Sequence, residues 1–135
     1  MTIVVDASVV VAALVDSGPV GTWADEILES DDLAAPHLMS AEAANILRRA
    51  SQAGQISADV ASLAHGDLLA LSVEYFPYEP FGARVWELRD NVTCYDAWYV
   101  ALAEDLDASM STLDRKLTRA SGTRCNFLTA PNDYP

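Results

Sequence analysis

Four carboxylates, Asp6, Glu42, Asp96 and Asp114, stand where an apolar segment meets a turn or the first turns of a helix. Oxygen ligands of this kind suit a hard divalent cation, Mg²⁺ or Mn²⁺. The two histidines, His37 and His65, have no zinc spacing and are read as structural or surface groups. A cluster of acids also needs an ion to exist. Two carboxylates about 4 Å apart repel by roughly 4 kcal/mol at an effective dielectric of about 20, so an empty cluster would resist folding or hold extra protons.

Each acid has a plainer use as well. Asp6 ends an apolar run and can cap the helix that follows. On a helical projection Met39, Ala43, Ile46, Leu47 and Ala50 share one stripe, with Glu42, Asn45 and Arg49 on its flank. Glu42 therefore borders the core, either as a ligand or as an early-helix acid favoured by the dipole. Thr93 to Asp96 has the form of a capping box. Yet Asp96 projects with Tyr99, Val100 and Ala103 on the apolar side, where a bare carboxylate would cost several kcal/mol unless paired or metal-bound. Asp114 is a ligand or the N-cap of the last helix. The chain holds 20 acidic residues, so joint placement of these four carries the argument.

An alternation of strands and helices would gather them. Thr2 to Val5 predicts a buried strand, leading through Asp6 into the apolar stretch Val9 to Val15. Asp16 to Pro19 break it, and Thr22 caps a helix to about Glu29. A second strand at Leu33 to Pro36 precedes a long helix ending near Ala53, where Gly54 stops it. Ser57 caps the next helix, to about Leu71, and Val73 to Phe76 forms a third strand. A helix at Phe81 to Leu88 follows, then a strongly apolar one from Asn91–Thr93 to Leu106. Ala108 to Ser111 is the fourth strand, Asp114 opens a short basic helix to about Ala120, and Asn126 to Thr129 adds an edge strand before the tail. The expected fold is α/β: one domain over residues 1–135, with a central parallel sheet of four to five short strands flanked by helices. In such sheets, strand ends and helix starts meet at one edge.

A chain of 135 residues with 51% hydrophobic and 21% charged residues can bury a substantial core. Its apolar runs are too short to cross a bilayer and no basic segment precedes one at the N-terminus, which places it in the cytoplasm. Cys94 and Cys125 are read as two buried free thiols, with one disulfide between them as the alternative. Trp23, Trp86 and Trp98, with Tyr75, Phe76 and Tyr78, are read as core, with a partner groove as the alternative. A net charge of −12 opposes non-specific adhesion to nucleic acid. All eight basic residues, however, lie after position 47. Arg48 and Arg49 follow Glu42 by about two helical turns, and Arg115 and Lys116 follow Asp114. They form a basic rim around an acidic pocket or merely solvated helix faces.

With these residues in place, the chain resembles the PIN-domain ribonucleases, specifically the VapC toxins of bacterial type II toxin–antitoxin modules, over nearly its whole length. Asp6, Ala7 and Ser8 match the Asp, small residue and Ser that end the family's first strand. Glu42 and Asn45 match its helical Glu with Asn three residues on. Asp96 to Ala103 match an Asp leading into an Ala-Leu-Ala run, and Thr112, Leu113 and Asp114 match Thr, any residue, Asp. Where some members carry a further acid after the fourth, Arg115 and Lys116 stand here. The resemblance implies a PIN fold that cleaves RNA, commonly tRNA or another structured RNA, with Mg²⁺ or Mn²⁺. It also implies a homodimer silenced by a cognate antitoxin.

The expected reaction is hydrolysis of an RNA phosphodiester by metal-activated water, with Asp6, Glu42, Asp96 and Asp114 holding the cation directly or through waters. Ser8, Asn45 and Thr112 would orient those groups. Arg48, Arg49, Arg115 and Lys116 are candidates for phosphate contacts. Two rivals are a phosphoacceptor signalling domain and a non-catalytic PIN-like scaffold. The first wants adjacent acids after the first strand and a lysine ending the last, whereas Asp6 stands alone and the only lysine, Lys116, lies in a helix. The intact acidic set speaks against the second.

Overall fold

Five strands and seven α-helices alternate in a computed structural model that describes residues 1–30 and 32–131. Asp31 and the end of the tail, 132–135, lie outside the described residues. The strands are β1 (Thr2–Val5), β2 (Asp32–Pro36), β3 (Val73–Phe76), β4 (Ser109–Ser111) and β5 (Phe127–Leu128). The helices are α1 (Ala7–Val15), α2 (Pro19–Ser30), α3 (Leu38–Gln52), α4 (Ala58–Ala70), α5 (Gly82–Glu87), α6 (Cys94–Asp105) and α7 (Arg115–Thr118). All neighbouring strands pair in parallel, in the order β3-β2-β1-β4-β5.

This order decides where the site can be. The chain first builds outward from β1 to β2 and β3, then crosses back to lay β4 and β5 on the other side of β1. Right-handed crossovers put helices on opposite faces when the direction reverses. Accordingly α1 to α4 pack on one another, while α5 and α6 pair and α6 lies against β1, β2 and β4. The reversal leaves a crevice between the carboxyl ends of β1 and β4, the place where open α/β sheets bind ligands.

Burial overrides propensity in α1. Val9, Val10 and Val11 are poor helix formers, but all three are buried, and that packing stabilises the helix. Its end runs into a sharp corner. Asp16 Oδ1 accepts a hydrogen bond from the Gly18 amide at 2.7 Å, and a Cβ on Gly21 would lie 1.7 Å from the Asp16 carbonyl oxygen. Only glycine lets α2 approach α1 this closely. The helix start predicted at Thr22 needs correction: α2 begins at Pro19, and Thr22 Oγ1 instead donates to the Gly18 carbonyl. Proline's fixed φ and missing N–H break a helix interior but suit its first position.

Caps elsewhere fall as expected. Ser57 accepts from the Val60 amide and Thr93 from the Asp96 amide, each at 3.1 Å. Gly54 follows α3 at φ +75°, the left-handed conformation that favours glycine. The helix expected from Phe81 opens earlier, as a 3₁₀ turn at Glu79–Phe81 that leads into α5. Behind the site, Arg84 of α5 forks onto Glu104 of α6 at 2.7 and 3.1 Å and reaches the Gly122 carbonyl at 2.6 Å. Burial alone would raise the Glu104 carboxyl, but Arg84 and the Arg124 amide outweigh it and hold the group below its ordinary range.

Two further expectations need correction. Both cysteines are free, but only Cys125 is partly covered, and Cys94 is exposed in the first turn of α6. Burial, reinforced by Glu104, pushes the Cys125 thiol up to about 11. Trp86 is 60% exposed and stacks under Arg89 rather than in the core, and Tyr78 is exposed too, its ring edge-on to Trp98. Trp23, Trp98, Tyr75 and Phe76 are half-buried against the core. His37 and His65 are exposed, as a surface reading requires. Among the described residues, no single helix is long and apolar enough to cross a membrane.

Candidate metal centre

Strand register brings the first and last acids together. Val5 pairs with Ser111, so the residues that follow, Asp6 and Thr112, leave the sheet side by side. Thr112 is fully buried, and its hydroxyl donates to Asp6 Oδ2 at 2.5 Å while accepting from the Asp114 amide at 3.0 Å. The other oxygen, Asp6 Oδ1, accepts from Ser8 Oγ at 2.5 Å and from the Val9 amide at 3.1 Å. Asp6 is thus the N-cap of α1 and part of the pocket wall at once. Asp114 also has both placements: its Oδ1 caps α7 through the amides of Lys116 and Leu117, and it lines the same pocket.

Glu42 comes from the opposite wall. The long α3 carries it to the crevice with Asn45 and Arg49, one helical flank as projected, and all three line the pocket. The first turn of α6 brings Asp96. Thr93 caps that turn, but among the described residues no hydrogen bond returns from the Asp96 carboxylate to the Thr93 amide, so the capping box is only half formed. One turn further on, the buried Tyr99 donates its phenolic O–H to Glu42 Oε1 at 2.6 Å. Four acids spread over the chain therefore meet in one pocket.

Their electrostatics are those of a cluster short of positive charge. Burial raises the Asp6 carboxyl above its ordinary value, against the lowering effect of hydrogen bonds from Ser8, Thr112 and Val9. Burial likewise raises Glu42, with Tyr99 opposing and the charges of Asp96 and Asp6 adding. Asp96 rises by burial first and then by repulsion from Asp114 and Asp6, with Thr93 opposing. A divalent cation would relieve all three at once.

The fit of these residues to an ion has a definite limit. Among the described residues, no three Asp, Glu, His or Cys side chains are placed to hold a metal jointly. Both oxygens of Asp6 are already engaged by hydroxyl and amide donors. Mg²⁺ does not require such a cage. It keeps several waters and commonly takes one or two carboxylates directly, leaving the others to bind through water. Donor chemistry and placement fit that mode.

The remaining expected residues divide. Ser8 and Thr112 orient Asp6, and Ser8 Oγ also accepts from the Leu113 amide at 3.3 Å. Asn45 lines the pocket but accepts from Arg48 Nη1 at 3.4 Å rather than holding a carboxylate. Arg49 reaches the pocket wall. Arg48 instead lines a separate shallow depression with Leu47, Ala61 and His65, facing α4. Arg115 is drawn to the carbonyls of Ala130 and Pro131, and Lys116 is exposed beside Asp114. Tyr99 projects on the apolar side of its helix, and its role as a partner of Glu42 emerges only in the fold. The signal was a phenol one turn after Asp96 on a buried face, where a hydroxyl needs a partner.

Comparison with known proteins finds relatives along nearly the whole chain. The PIN domain family matches residues 3–122. Ribonuclease VapC1 of Mycobacterium tuberculosis is 41% identical over 125 residues, 92% of this chain and 94% of that protein. VapBC2 from Rickettsia felis, solved bound to a DNA fragment from their promoter, superposes with a TM-score of 0.68 at 12% identity, over 97% of this chain and 100% of that one. VapC20 of Mycobacterium tuberculosis, a sarcin-ricin loop cleaving toxin, gives 0.67 at 16% identity, over 90% and 96%.

Proposed function

Because this chain belongs to the PIN-domain family, among its VapC ribonucleases, we propose that it is a Mg²⁺- or Mn²⁺-dependent endoribonuclease toxin acting at the crevice between β1 and β4. The observation that carries the reading is the convergence of Asp6, Glu42, Asp96 and Asp114 on one pocket. A structured RNA is the substrate, tRNA being the form the family resemblance suggests. The toxin works as a cytoplasmic homodimer silenced by a cognate antitoxin.

When bound, the cation supplies Lewis acidity toward a phosphodiester and lowers the pKa of a bound water. The chain's residues do the rest. Asp6, fixed from three sides by Ser8, Val9 and Thr112, is the rigid acid. Glu42 and Asp96 border the pocket and, with Asp6 and Asp114, would hold the cation directly or through waters. Tyr99 holds Glu42 Oε1 in place. Arg49 offers positive charge to a phosphate on the α3 side, with Lys116 on the α7 side, while Arg48 and Arg115 stand further out.

The test compares wild type with Asp96→Asn on a structured RNA, with Mg²⁺ or with chelator. Cleavage by wild type with metal alone is expected. Equal cleavage by both proteins, or undiminished cleavage in chelator, would remove the metal-dependent reading.

A further inference from the structure

The acid pocket continues sideways. A shallow groove runs between α3 and the first turn of α6, lined by Leu38, Ala41, Glu42, Asn45 and Tyr95. The four α3 residues recur at three- and four-residue spacing and so form one stripe of the helix. Glu42 and Asn45 line both the groove and the acid pocket, which makes the two continuous. Tyr95 directly precedes Asp96 and is 63% exposed. Its ring therefore stands beside the proposed cleavage point with much of its surface open.

Charge gives this chain little hold on RNA. The net charge is −12, and Arg49 is the one basic residue among those lining the acid pocket. Stacking of a base on an aromatic ring does not depend on charge, is tolerant of base identity, and raises affinity by about 5- to 160-fold per base. It requires an open base face. Bases inside a duplex have both faces covered by neighbours, whereas those in loops, bulges and single strands can be splayed onto a side chain.

From the continuity of groove and pocket we infer that Tyr95 is a stacking platform for an unpaired nucleobase next to the scissile phosphate. This deepens the ribonuclease reading above and rests on it. A ring face is all that the platform needs, so another aromatic residue should serve and a methyl group should not.

The experiment titrates two RNAs onto the Asp96→Asn chain with Mg²⁺: a single strand carrying 2-aminopurine, and a blunt duplex of the same sequence. Adding Tyr95→Ala is expected to weaken binding of the single strand by about 5- to 160-fold and to abolish the fluorescence change of the stacked 2-aminopurine. Tyr95→Phe is expected to bind within about twofold of its parent. The duplex should bind weakly and equally to all three. Melting curves that match the parent establish that the variants fold. Unchanged affinity on Tyr95→Ala would leave the ring to a protein partner and overturn the inference, as would an equal loss on Tyr95→Phe. Failure of the ribonuclease reading registers separately, as wild type that leaves RNA uncut with Mg²⁺. The titration decides the platform in either case.

Discussion

The Tyr99 phenol and the Glu42 carboxylate, 57 residues apart, meet in a 2.6 Å hydrogen bond that ties α6 to α3 across the mouth of the acid pocket. Burial first, and then the Glu42 partnership, raise the phenol far above its ordinary range, so it remains a donor at any working pH. Tyr99→Phe keeps the buried ring and removes only that donor. A hydrogen bond to a charged acceptor is worth about 1.5–3 kcal/mol. The expected outcome is a loss of about 1–2 kcal/mol in urea unfolding, since Glu42 is only partly buried. RNA cleavage should fall about tenfold, the equivalent of about 1.4 kcal/mol in the barrier. Wild-type cleavage by Tyr99→Phe would show that Glu42 needs no positioning.

The raised carboxyls of Asp6, Glu42 and Asp96 make stability depend on pH in a definite direction. The folded chain holds these protons more tightly than the unfolded chain, whose groups titrate near 3.8 and 4.5. Their contribution therefore favours the fold at low pH and is lost as pH rises from those values through the folded ones. In chelator at neutral pH, Asp96→Asn should melt higher than wild type, by about 2–5 °C for a gain near 1 kcal/mol. The opposing helix-dipole benefit of Asp96 is only about 0.3–1 kcal/mol. Saturating Mg²⁺ at 100 times its Kd should add about 2.7 kcal/mol to wild type. Calorimetry with and without millimolar Mg²⁺ checks both; an unmoved wild-type transition would count against a cation at this site.

Thr112 links the two acids that flank the sheet reversal, donating to Asp6 and accepting from the Asp114 amide. Thr112→Val preserves its volume and deletes both bonds inside a fully buried site. A cost of about 2–4 kcal/mol is expected, because a carboxylate and an amide are left short of partners. Thr112→Ser should cost only about 1 kcal/mol for its lost methyl group and should keep most of the cleavage activity. Equal loss in both variants would assign Thr112 to packing alone.

Much of this protein is legible in the chain because the governing forces are local. Ser57 and Thr93 cap α4 and α6 as read, since a hydroxyl finds an amide three residues away whatever the rest of the fold does. Pro19 is ambiguous in the chain for a related reason: proline stops a helix interior and starts a helix with the same ring, and only the Asp16 corner decides between them. Cys94 and Trp86 were expected inside from residue type alone, yet neighbours decide exposure. The α5–α6 surface leaves both in solvent.

The sequence by itself determined the alternation of strands and helices, the parallel sheet, and the position of each acid at a strand end or in the early turns of a helix. Those follow from periodicity and capping, which act over a few residues. Only the tertiary structure decided that Thr112 meets Asp6 at a separation of 106 residues, that Tyr99 holds Glu42, and that Tyr95 opens beside the pocket. The reason is the strand order: reversal at β1 places β4 beside it, and no local pattern records which distant side chain a buried polar group will find.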